Sequence, residues 1–324
     1  MRNKILLVCG LFIAALQAFP LHAQPYPNKP VRLIAPFPPG GTVDFFGRLV
    51  SEGMAPLTGQ PFVLENRPGA GGNLGADAIA KAAPDGYTLA LVAAGNIVIN
   101  PFLYRSMPFD PLNDLIPVFN IADAPQLLAV PGTLAVRNLQ EFIALAKSKP
   151  GAVNYASAGA GTTTHLAMDM LGRMAGVEMQ HIPYKGVGQA MADLVTGRVQ
   201  ALSVGYGPLQ SQLRSGVLRA IVAAAPKRLA AAPDVPTSRE AGLPGFEMTT
   251  WFGVLAPKGT SPAIVNYLNS NLQKVFDDAN TKKRLLESGM EPGGGSEDSF
   301  AKLIRTDYRK WETVVNASGV NLEE

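Results

Sequence analysis

Cysteine and histidine are almost absent from this sequence. Its 324 residues include one cysteine and three histidines, and neither a His-Glu-x-x-His pair nor a Gly-x-Ser-x-Gly elbow occurs. Cys9 lies in an apolar N-terminal run that we expect to be removed, so disulfides would not stabilise the rest of the chain. A hydrolase triad and a metal cluster both lack the residues that they need. We therefore predict no enzyme activity, no metal and no cofactor.

Charge of either sign is also scarce. Charged residues make up 16% of the chain, hydrophobic residues make up 47%, and the formal net charge is +3. Loss of Arg2 and Lys4 with the N-terminal segment would leave 26 of the 28 basic residues against 25 acidic ones, a charge of +1. Nucleic-acid binding needs a concentrated basic face, so no nucleic-acid partner is expected. The apolar fraction is sufficient for one or two domains with hydrophobic cores.

The N-terminal segment has the order of a secretory signal peptide. Arg2 and Lys4 precede an almost wholly apolar run at 5–19, and small residues follow up to Ala23. The run is too short to cross a bilayer comfortably. We expect residues 1–23 to form a signal peptide that is cleaved after Ala23.

From residue 26 onward, short apolar runs alternate with longer amphipathic segments. Strands are predicted at 31–36, 61–66, 88–94, 153–157, 178–182, 199–204, 217–224 and 251–257. Helices are predicted at 43–57, 73–83, 138–148, 163–175, 187–196, 208–214, 261–277, 280–288 and 297–317. This alternation predicts an α/β fold with a mainly parallel sheet that is flanked by helices.

Two segments indicate that the chain forms two lobes. The apolar run at 116–130 is interpreted as a crossing into a second lobe, and the strand at 251–257 as the return. We accordingly predict a first lobe from 24–122 and 250–324, and a second lobe from 123–249, each with its own sheet.

The stretch at 31–44 changes from a strand pattern to a helix pattern across Pro38, Pro39, Gly40 and Gly41. Thr42 or Asp44 is predicted to cap the helix. Because glycines place no side chain over the first turn, its unpaired amides and positive dipole end would stay open to an anion. An ordinary strand-to-helix turn is the alternative.

A second turn repeats this pattern in the other half. The strand at 153–157 ends in small residues from Ser157 to Gly161, followed by Thr162, Thr163 and His165. A threonine is predicted to cap the helix, and His165 either packs or reaches the ligand. The two turns could therefore serve one ligand between the lobes.

Other strand ends supply weaker candidates. Gly95 and Asn96 follow the third strand at its carboxyl end, where open parallel sheets bind ligands. Tyr184 offers a flat ring with a hydroxyl, and Lys185 is either a charge at the cleft edge or a solvated lysine. The glycines at 69–75 do not have dinucleotide-binding spacing, so they form another ligand-facing helix start or simply allow tight packing.

Several motifs together carry a resemblance to a known family. They are Tyr26-Pro27 with Lys29-Pro30, Phe37-Pro38-Pro39-Gly40-Gly41 with Asp44, Glu65-Asn66-Arg67-Pro68-Gly69-Ala70-Gly71-Gly72, Pro84-Asp85-Gly86-Tyr87-Thr88, Asn154-Tyr155-Ala156-Ser157 with Gly159, Gly161-Thr162 and His165-Leu166-Ala167, Tyr184-Lys185-Gly186, Pro233-Asp234-Val235-Pro236-Thr237, and the segment from Trp251 to Pro257. The chain resembles the extracytoplasmic solute receptors of tripartite tricarboxylate transporters, the Bug family of periplasmic binding proteins.

The resemblance implies a two-lobed, type II periplasmic binding protein that closes on a small carboxylate and passes it to a membrane permease. The ligand would be a dicarboxylate or tricarboxylate, an acidic amino acid or an aromatic acid, and the receptor a monomer in the periplasm. Carried over by position, the ligand residues are Phe37, Pro39, Gly40, Gly41, Asp44, Ser157, Gly159, Gly161, Thr162 and Thr163. A co-receptor for a sensor kinase is the alternative function.

One segment departs from the family pattern. Where many relatives have an acidic residue, this chain has Ser203-Val204-Gly205-Tyr206. The ligand preference on that side of the cleft is therefore left open.

Overall fold

The computed structural model of the protein describes residues 26–39, 41–184 and 186–319. The predicted signal peptide at 1–23 and the predicted ligand residues Gly40 and Lys185 lie outside the described residues. In the part of the chain that is described, no helix combines the length and the apolarity needed to cross a membrane.

Within the described residues, ten strands form one sheet. They are β1 (Val31–Ala35), β2 (Phe62–Asn66), β3 (Thr88–Ala93), β4 (Leu115–Pro131), β5 (Asn154–Ser157), β6 (Gln180–Pro183), β7 (Ala201–Gly205), β8 (Leu218–Ala223), β9 (Thr249–Pro257) and β10 (Glu291–Pro292). The strand order is β2-β1-β3-β9-β4-β7-β5-β6, while β8 and β10 also pair with β4.

The α-helices lie between these strands. They are α1 (Thr42–Thr58), α2 (Asn73–Ala80), α3 (Asn100–Leu103), α4 (Leu139–Ser148), α5 (Thr163–Ala175), α6 (Val187–Val195), α7 (Tyr206–Arg214), α8 (Pro262–Asp277), α9 (Ala279–Glu287) and α10 (Glu297–Ser318). A short 3-10 helix precedes α2, and a π-helical turn at Gly95–Ile99 precedes α3. Each predicted helix and strand is present with bounds that differ by three residues or fewer; α3, its π turn and β10 were not predicted.

The α/β fold class is confirmed, and the sheet is mixed. Strands β2, β1 and β3 are parallel to one another, as are β7, β5 and β6. Between these two groups, β9 and β4 make antiparallel pairs. The antiparallel strands arise because the chain crosses between its two halves on β4 and returns on β9.

Strand β4 changes partners along its length. Residues 115–125 pair with β9, whereas 126–129 pair with β7 and 127–131 with β8. At the change, the Gln126 amide donates to Met248 O at 2.9 Å, and the Ser203 hydroxyl donates to Gln126 Oε1 at 2.8 Å. The predicted lobe boundaries, 122/123 and 249/250, lie close to this change of partners, and they stay a prediction.

The strand directions bring the carboxyl ends of both parallel groups toward the point where β4 changes partners, which we call the β4 crossing. Because β3 is antiparallel to β9 and β9 to β4, strands β1 and β3 run in the direction of β4. Strands β7 and β5 run the opposite way. In register, Ala93 at the end of β3 aligns through Phe252 with Ala122, and Gly205 at the end of β7 aligns with Gln126. The loops that follow β1, β3, β5 and β7 therefore extend toward the same part of β4.

An apolar core joins the two halves. One cluster of buried side chains includes Ile34 and Ala90 from the first group of strands, Leu128 from β4, Leu166 from α5 and Trp311 from α10. Helix α10 thus packs against both halves, which are not independent hydrophobic units.

The tryptophans of this core give a matched test of one hydrogen bond. Trp251 in β9 is 1% exposed, and its Nε1 donates to Asp307 Oδ2 in α10 at 2.9 Å. Trp311 is also 1% exposed, but no described residue accepts a hydrogen bond from its Nε1. Burial raises the pKa of Asp307, which shows that its carboxylate is poorly solvated. Loss of the hydrogen bond from Trp251 should therefore lower the free energy of unfolding.

We expect W251F to destabilise the protein by about 1–3 kcal/mol more than W311F, since only the first change removes the donor to the half-buried Asp307 carboxylate. Urea unfolding of both variants and the wild type measures the difference. Equal losses of the free energy of unfolding would contradict the role assigned to the Asp307 bond.

Candidate functional site

The turn after β1 leaves the first turn of α1 without a side-chain cap. Gly41 is the N-cap residue, in an extended conformation, and it is exposed. The prediction that Thr42 or Asp44 caps this helix is wrong, because Thr42 is already helical and the Asp44 carboxylate accepts from Arg48 Nε at 3.0 Å. Phe37 is half-buried, and Pro39 is exposed. The first-turn amides, which have no acceptor within a helix, therefore face a turn with little side-chain cover.

Asp44 places a negative charge in the same turn. Its side chain is 4% exposed, and the ion pair with Arg48, one turn later, balances its charge. A carboxylate there is also favoured by the positive end of the helix dipole. Asp44 therefore contributes to the shape and electrostatics of the turn from inside the protein.

Buried amide side chains hold the neighbouring loops. Asn66 Nδ2 donates to Phe37 O at 3.0 Å. Asn96, 1% exposed, donates through Nδ2 to Gly71 O at 2.6 Å, and Asn100 donates to the same oxygen at 3.2 Å. The structure therefore uses the predicted ligand residue Asn96 to join the loop after β3 to the loop after β2.

The glycines of the loop after β2 serve close packing. A Cβ at Gly75 would lie 2.8 Å from Pro36 Cα and 2.9 Å from Arg67 O, which leaves no room for a larger residue. Of the two explanations offered for these glycines, the structure favours tight packing. This packing places Gly75 against Pro36, which follows β1.

Side chains organise the second turn. Ser157 is fully buried, and its Oγ accepts from the Gly159 amide at 3.1 Å and lies 2.6 Å from His181 Nε2. Thr162 caps α5 as predicted, accepting from the His165 amide, and its hydroxyl donates to Gly159 O at 2.7 Å. The turn is thus closed by hydrogen bonds from both of its ends.

Two further amides of this turn are also satisfied internally. The Gly161 amide donates to His165 Nδ1 at 3.1 Å, and the Ala158 amide donates to Thr164 Oγ1 at 2.8 Å. The amides of Thr163 and Thr164 are in the first turn of α5, where a helix provides no acceptor for them. The hydrogen bonds that close this turn therefore use the amides of Ala158 and Gly161, and the Thr163 and Thr164 amides lie at the start of α5.

Tyr184 and the Ser157 loop lie together, but the Tyr184 hydroxyl has its own partner. The Tyr184 amide donates to Ser157 O at 3.1 Å, and its hydroxyl donates to Asp193 Oδ2 at 2.7 Å. Burial, followed by the hydrogen bond to Asp193, raises the pKa of Tyr184 to about 12. Tyr184 is therefore a neutral residue at the edge of the second turn.

A cavity lies between the two halves beside the first turn of α1. Its volume is about 440 Å³, within the range of small-molecule sites. It is lined by Phe45, Gln210, Arg214, Arg284, Glu287 and Ser288. Gln210 Nε2 in α7 donates to Glu287 O in α9 at 3.1 Å, so the halves touch at its edge. The space is polar and carries two arginines near the start of α1.

A stack of three rings borders the second turn. The ring centroids of His165 and His181 are 3.9 Å apart, and those of Tyr155 and His181 are 5.1 Å apart, with nearly parallel planes. Burial lowers the pKa of His165, and burial followed by the neighbouring His165 lowers the pKa of His181 to about 4. Both imidazoles are therefore neutral at neutral pH.

His181 was not among the predicted site residues. The register of parallel strands β5 and β6 aligns His181 with Tyr155, in the strand that ends at Ser157. This register is a tertiary feature, and no local motif in the sequence indicates it. Among the described residues, no group of His, Cys, Asp or Glu side chains could hold a metal ion.

Comparisons with known proteins agree on one family. A family model described as the tripartite tricarboxylate transporter family receptor matches residues 46–320. Protein BugT of Bordetella pertussis is 36% identical over 323 residues, covering 99% of both chains. The solved structure of R. palustris Rpa4515 with adipate is 35% identical with a TM-score of 0.82, covering 91% of this chain and 98% of that one. MatC (Rpa3494) from Rhodopseudomonas palustris with bound malate is 34% identical with a TM-score of 0.78, covering 90% and 100%.

The neutral histidine pair makes stability depend on pH. His181 has an ordinary pKa of 6.5 when unfolded and about 4 when folded, so between these values only the unfolded chain gains the proton. We expect the free energy of unfolding to fall as the pH falls from about 6.5 to about 4, and this loss to level off below that range. Urea unfolding across the range measures it.

His181→Gln is the control, because glutamine does not titrate. This variant should lose part of the pH dependence and keep the rest, which arises from other groups. The same slope in the variant and the wild type would show that His181 is not the titrating group.

Proposed function

The chain belongs to the tripartite tricarboxylate transporter receptor family, and we propose that it captures a small dicarboxylate in the periplasm and delivers it to the membrane permease of such a transporter. The observation that carries the ligand class is the pair of helix starts, α1 and α5, one in each half of the sheet. Each offers amides and a positive dipole end suited to one carboxylate. The signal at 1–23 would direct export and be removed after Ala23.

Bound ligands of relatives support a dicarboxylate. The solved relatives include Rpa4515 with adipate and MatC with malate, at 35% and 34% identity. Both ligands carry two carboxylates on a short chain, which suits two seats that extend toward the same crossing. We propose that the lobes, 24–122 with 250–324 and 123–249, close on this ligand as a monomer.

The residues divide into those that contact the ligand and those that shape its seats. We propose that the turn from Phe37 through Pro39, Gly40 and Gly41 and the first-turn amides of α1 hold one carboxylate. The amides at Thr163 and Thr164 hold the other. Supporting positions are Asp44, Gly95, Asn96, Ser157, Gly159, Gly161, Thr162, His165 and Tyr184, while Lys185 would add charge at the edge.

Helix dipoles and hydrogen bonds from amides can supply the free energy of micromolar binding without an arginine that contacts the ligand. A helix start contributes about 0.3–2 kcal/mol to an anion, and a charge-assisted hydrogen bond about 1.5–3 kcal/mol. Three or four such bonds, less the cost of ordering the ligand and closing the lobes, are consistent with the roughly −8 kcal/mol of micromolar binding. The sensor co-receptor alternative stays a prediction, since none of the relatives named above points to a kinase.

Adipate and malate should each be tested for stabilisation of the folded protein. A ligand at about 100 times its Kd adds about 2.7 kcal/mol, so we expect a saturable rise in Tm for at least one of them. Adipamide is the control, because it matches adipate in length but has no charge. Folded protein that responds to neither acid, or equally to adipamide, would contradict a dicarboxylate receptor.

Gly41 is the position at which the first seat can be blocked cleanly. Its φ is −88°, and the nearest atom to an added Cβ is Pro38 O at 3.8 Å, so a larger residue fits without backbone strain. We expect G41V to weaken dicarboxylate binding about tenfold or more, the loss of one charge-assisted bond, with little change in the Tm of the free protein.

The matched control is G41A, which adds one methyl and should have an intermediate Kd. Isothermal titration calorimetry measures all three proteins. Gly161 is a poor alternative because its φ is +73°, where any side chain is strained. Wild-type affinity in folded G41V would show that the ligand does not approach this helix start.

A further inference from the structure

Buried His165 and half-buried His181 are stacked on each other beside the turn that precedes α5. His165 belongs to α5 and His181 to β6, and their planes are inclined by 10° with centroids 3.9 Å apart. Tyr155 of β5 lies beside His181 as its neighbour on the adjacent strand, with ring centroids 5.1 Å apart. Two positive charges 3.9 Å apart would repel each other, so the stacked pair favours neutral rings.

His165 also fixes the protonation state that the turn requires. Its Nδ1 accepts a hydrogen bond from the Gly161 amide at 3.1 Å. A backbone amide only donates, so Nδ1 must carry a lone pair, and the ring proton must be on Nε2. Protonation of Nδ1 would set two donors against each other and release Gly161.

His181 holds the other end of the turn. Its Nε2 lies 2.6 Å from Ser157 Oγ, which also accepts from the Gly159 amide and lies 3.0 Å from Gly159 O. Because the hydroxyl has one proton, the direction of the bond between Ser157 and His181 depends on where the imidazole carries its own proton. The two imidazoles thus contact the turn at both ends.

The charged groups around the pair do not change this conclusion. Asp169, one turn after His165, favours the charged imidazole, but Arg173 Nε donates to Asp169 Oδ2 at 2.8 Å. Glu178 is exposed and borders a surface cavity of about 430 Å³ together with Tyr155 and Asp169. Burial outweighs Asp169, because the net shift of the pKa of His165 is downward.

We propose that His165 and His181 are positioning residues of the second ligand seat, and that this seat accepts a carboxylate only while both imidazoles are uncharged. The inference rests on the proposed function and adds how the seat is kept in shape. An ordinary histidine is half charged near a pH of about 6.5. The stack therefore keeps the receptor competent in mildly acidic surroundings, where an unshielded histidine would release the turn.

Two variants separate positioning from general stability. His181→Gln keeps a polar group near Ser157 but removes the ring that covers His165, so the pKa of His165 should return toward its ordinary value. His165→Asn combined with His181→Gln supplies Oδ1 in place of Nδ1 as the acceptor for Gly161, and Asn cannot become charged. Wild type and both variants should be titrated with adipate and malate by calorimetry between pH values of about 7.5 and 5.5, a range that spans the ordinary histidine pKa.

We expect the Kd of His181→Gln to rise about tenfold more than the wild-type Kd across that range, since one pH unit below a pKa leaves about a tenth of a group neutral. The Kd of the double variant should change across this pH range by the same factor as the wild-type Kd. Titration of the ligand is common to all three proteins and cancels in the comparison. A purely structural role would weaken binding by the same factor at each pH.

The inference would be overturned if the Kd of folded His181→Gln changed with pH in parallel with the wild-type Kd. It would also be overturned if the Kd of the double variant rose at low pH as much as that of His181→Gln. Should His181→Gln fail to fold, NMR of the wild type decides: His165 must stay neutral, and the Gly161 amide unshifted, down to a pH of about 5.5. Titration of His165 near its ordinary pKa would overturn the inference.

Failure of the proposed function has a different signature. A wild-type protein that binds neither acid at any pH removes the dicarboxylate assignment, and with it the coupling to binding. The Gly161 amide resonance then decides the positioning role alone: it should follow pH in His181→Gln and stay constant in the double variant. A Gly161 resonance that behaves alike in both would overturn that role.

Discussion

The amides in the first turn of an α-helix have no carbonyl acceptor within the helix, and the rest of the candidate site follows from how each helix start meets this constraint. At α1 no side chain caps the turn, and the N-cap residue, Gly41, is exposed. At α5 the Thr162 hydroxyl takes the His165 amide, and the turn before it is closed by Ser157 and His165. The start of α1 thus has no side-chain cap, whereas the start of α5 follows a turn that is held by its own hydrogen bonds.

Arg214 and Arg284 line the cavity beside the start of α1, while the charged groups around the two turns are paired or neutral. Asp44 is balanced by Arg48 and Asp169 by Arg173, each within one helical turn. Burial lowers the pKa of both imidazoles beside the second turn, and the neighbouring His165 lowers the pKa of His181 further. At the two helix starts themselves, an anion would meet backbone amides and the positive ends of helix dipoles.

The crossing of β4 places the two helix starts in relation to each other. The strand passes from β9 to β7 and β8 within a few residues, and the carboxyl ends of the parallel strands extend toward that point from both sides. Behind it, α10 and the shared apolar core join the halves.

The sequence by itself determined the alternation of strands and helices, the break between β1 and α1, the Thr162 cap and the family, because these depend on local periodicity, turn residues and short motifs. It did not determine that Gly41, and not Thr42 or Asp44, is the N-cap residue of α1, because the burial of the Asp44 side chain depends on packing. Nor did it indicate that Asn96 would hold Gly71 or that His181 would lie beside Ser157. Those contacts join residues 24 and 25 positions apart in the chain, and only the register of the strands and the folding of their loops brings such residues within hydrogen-bond distance.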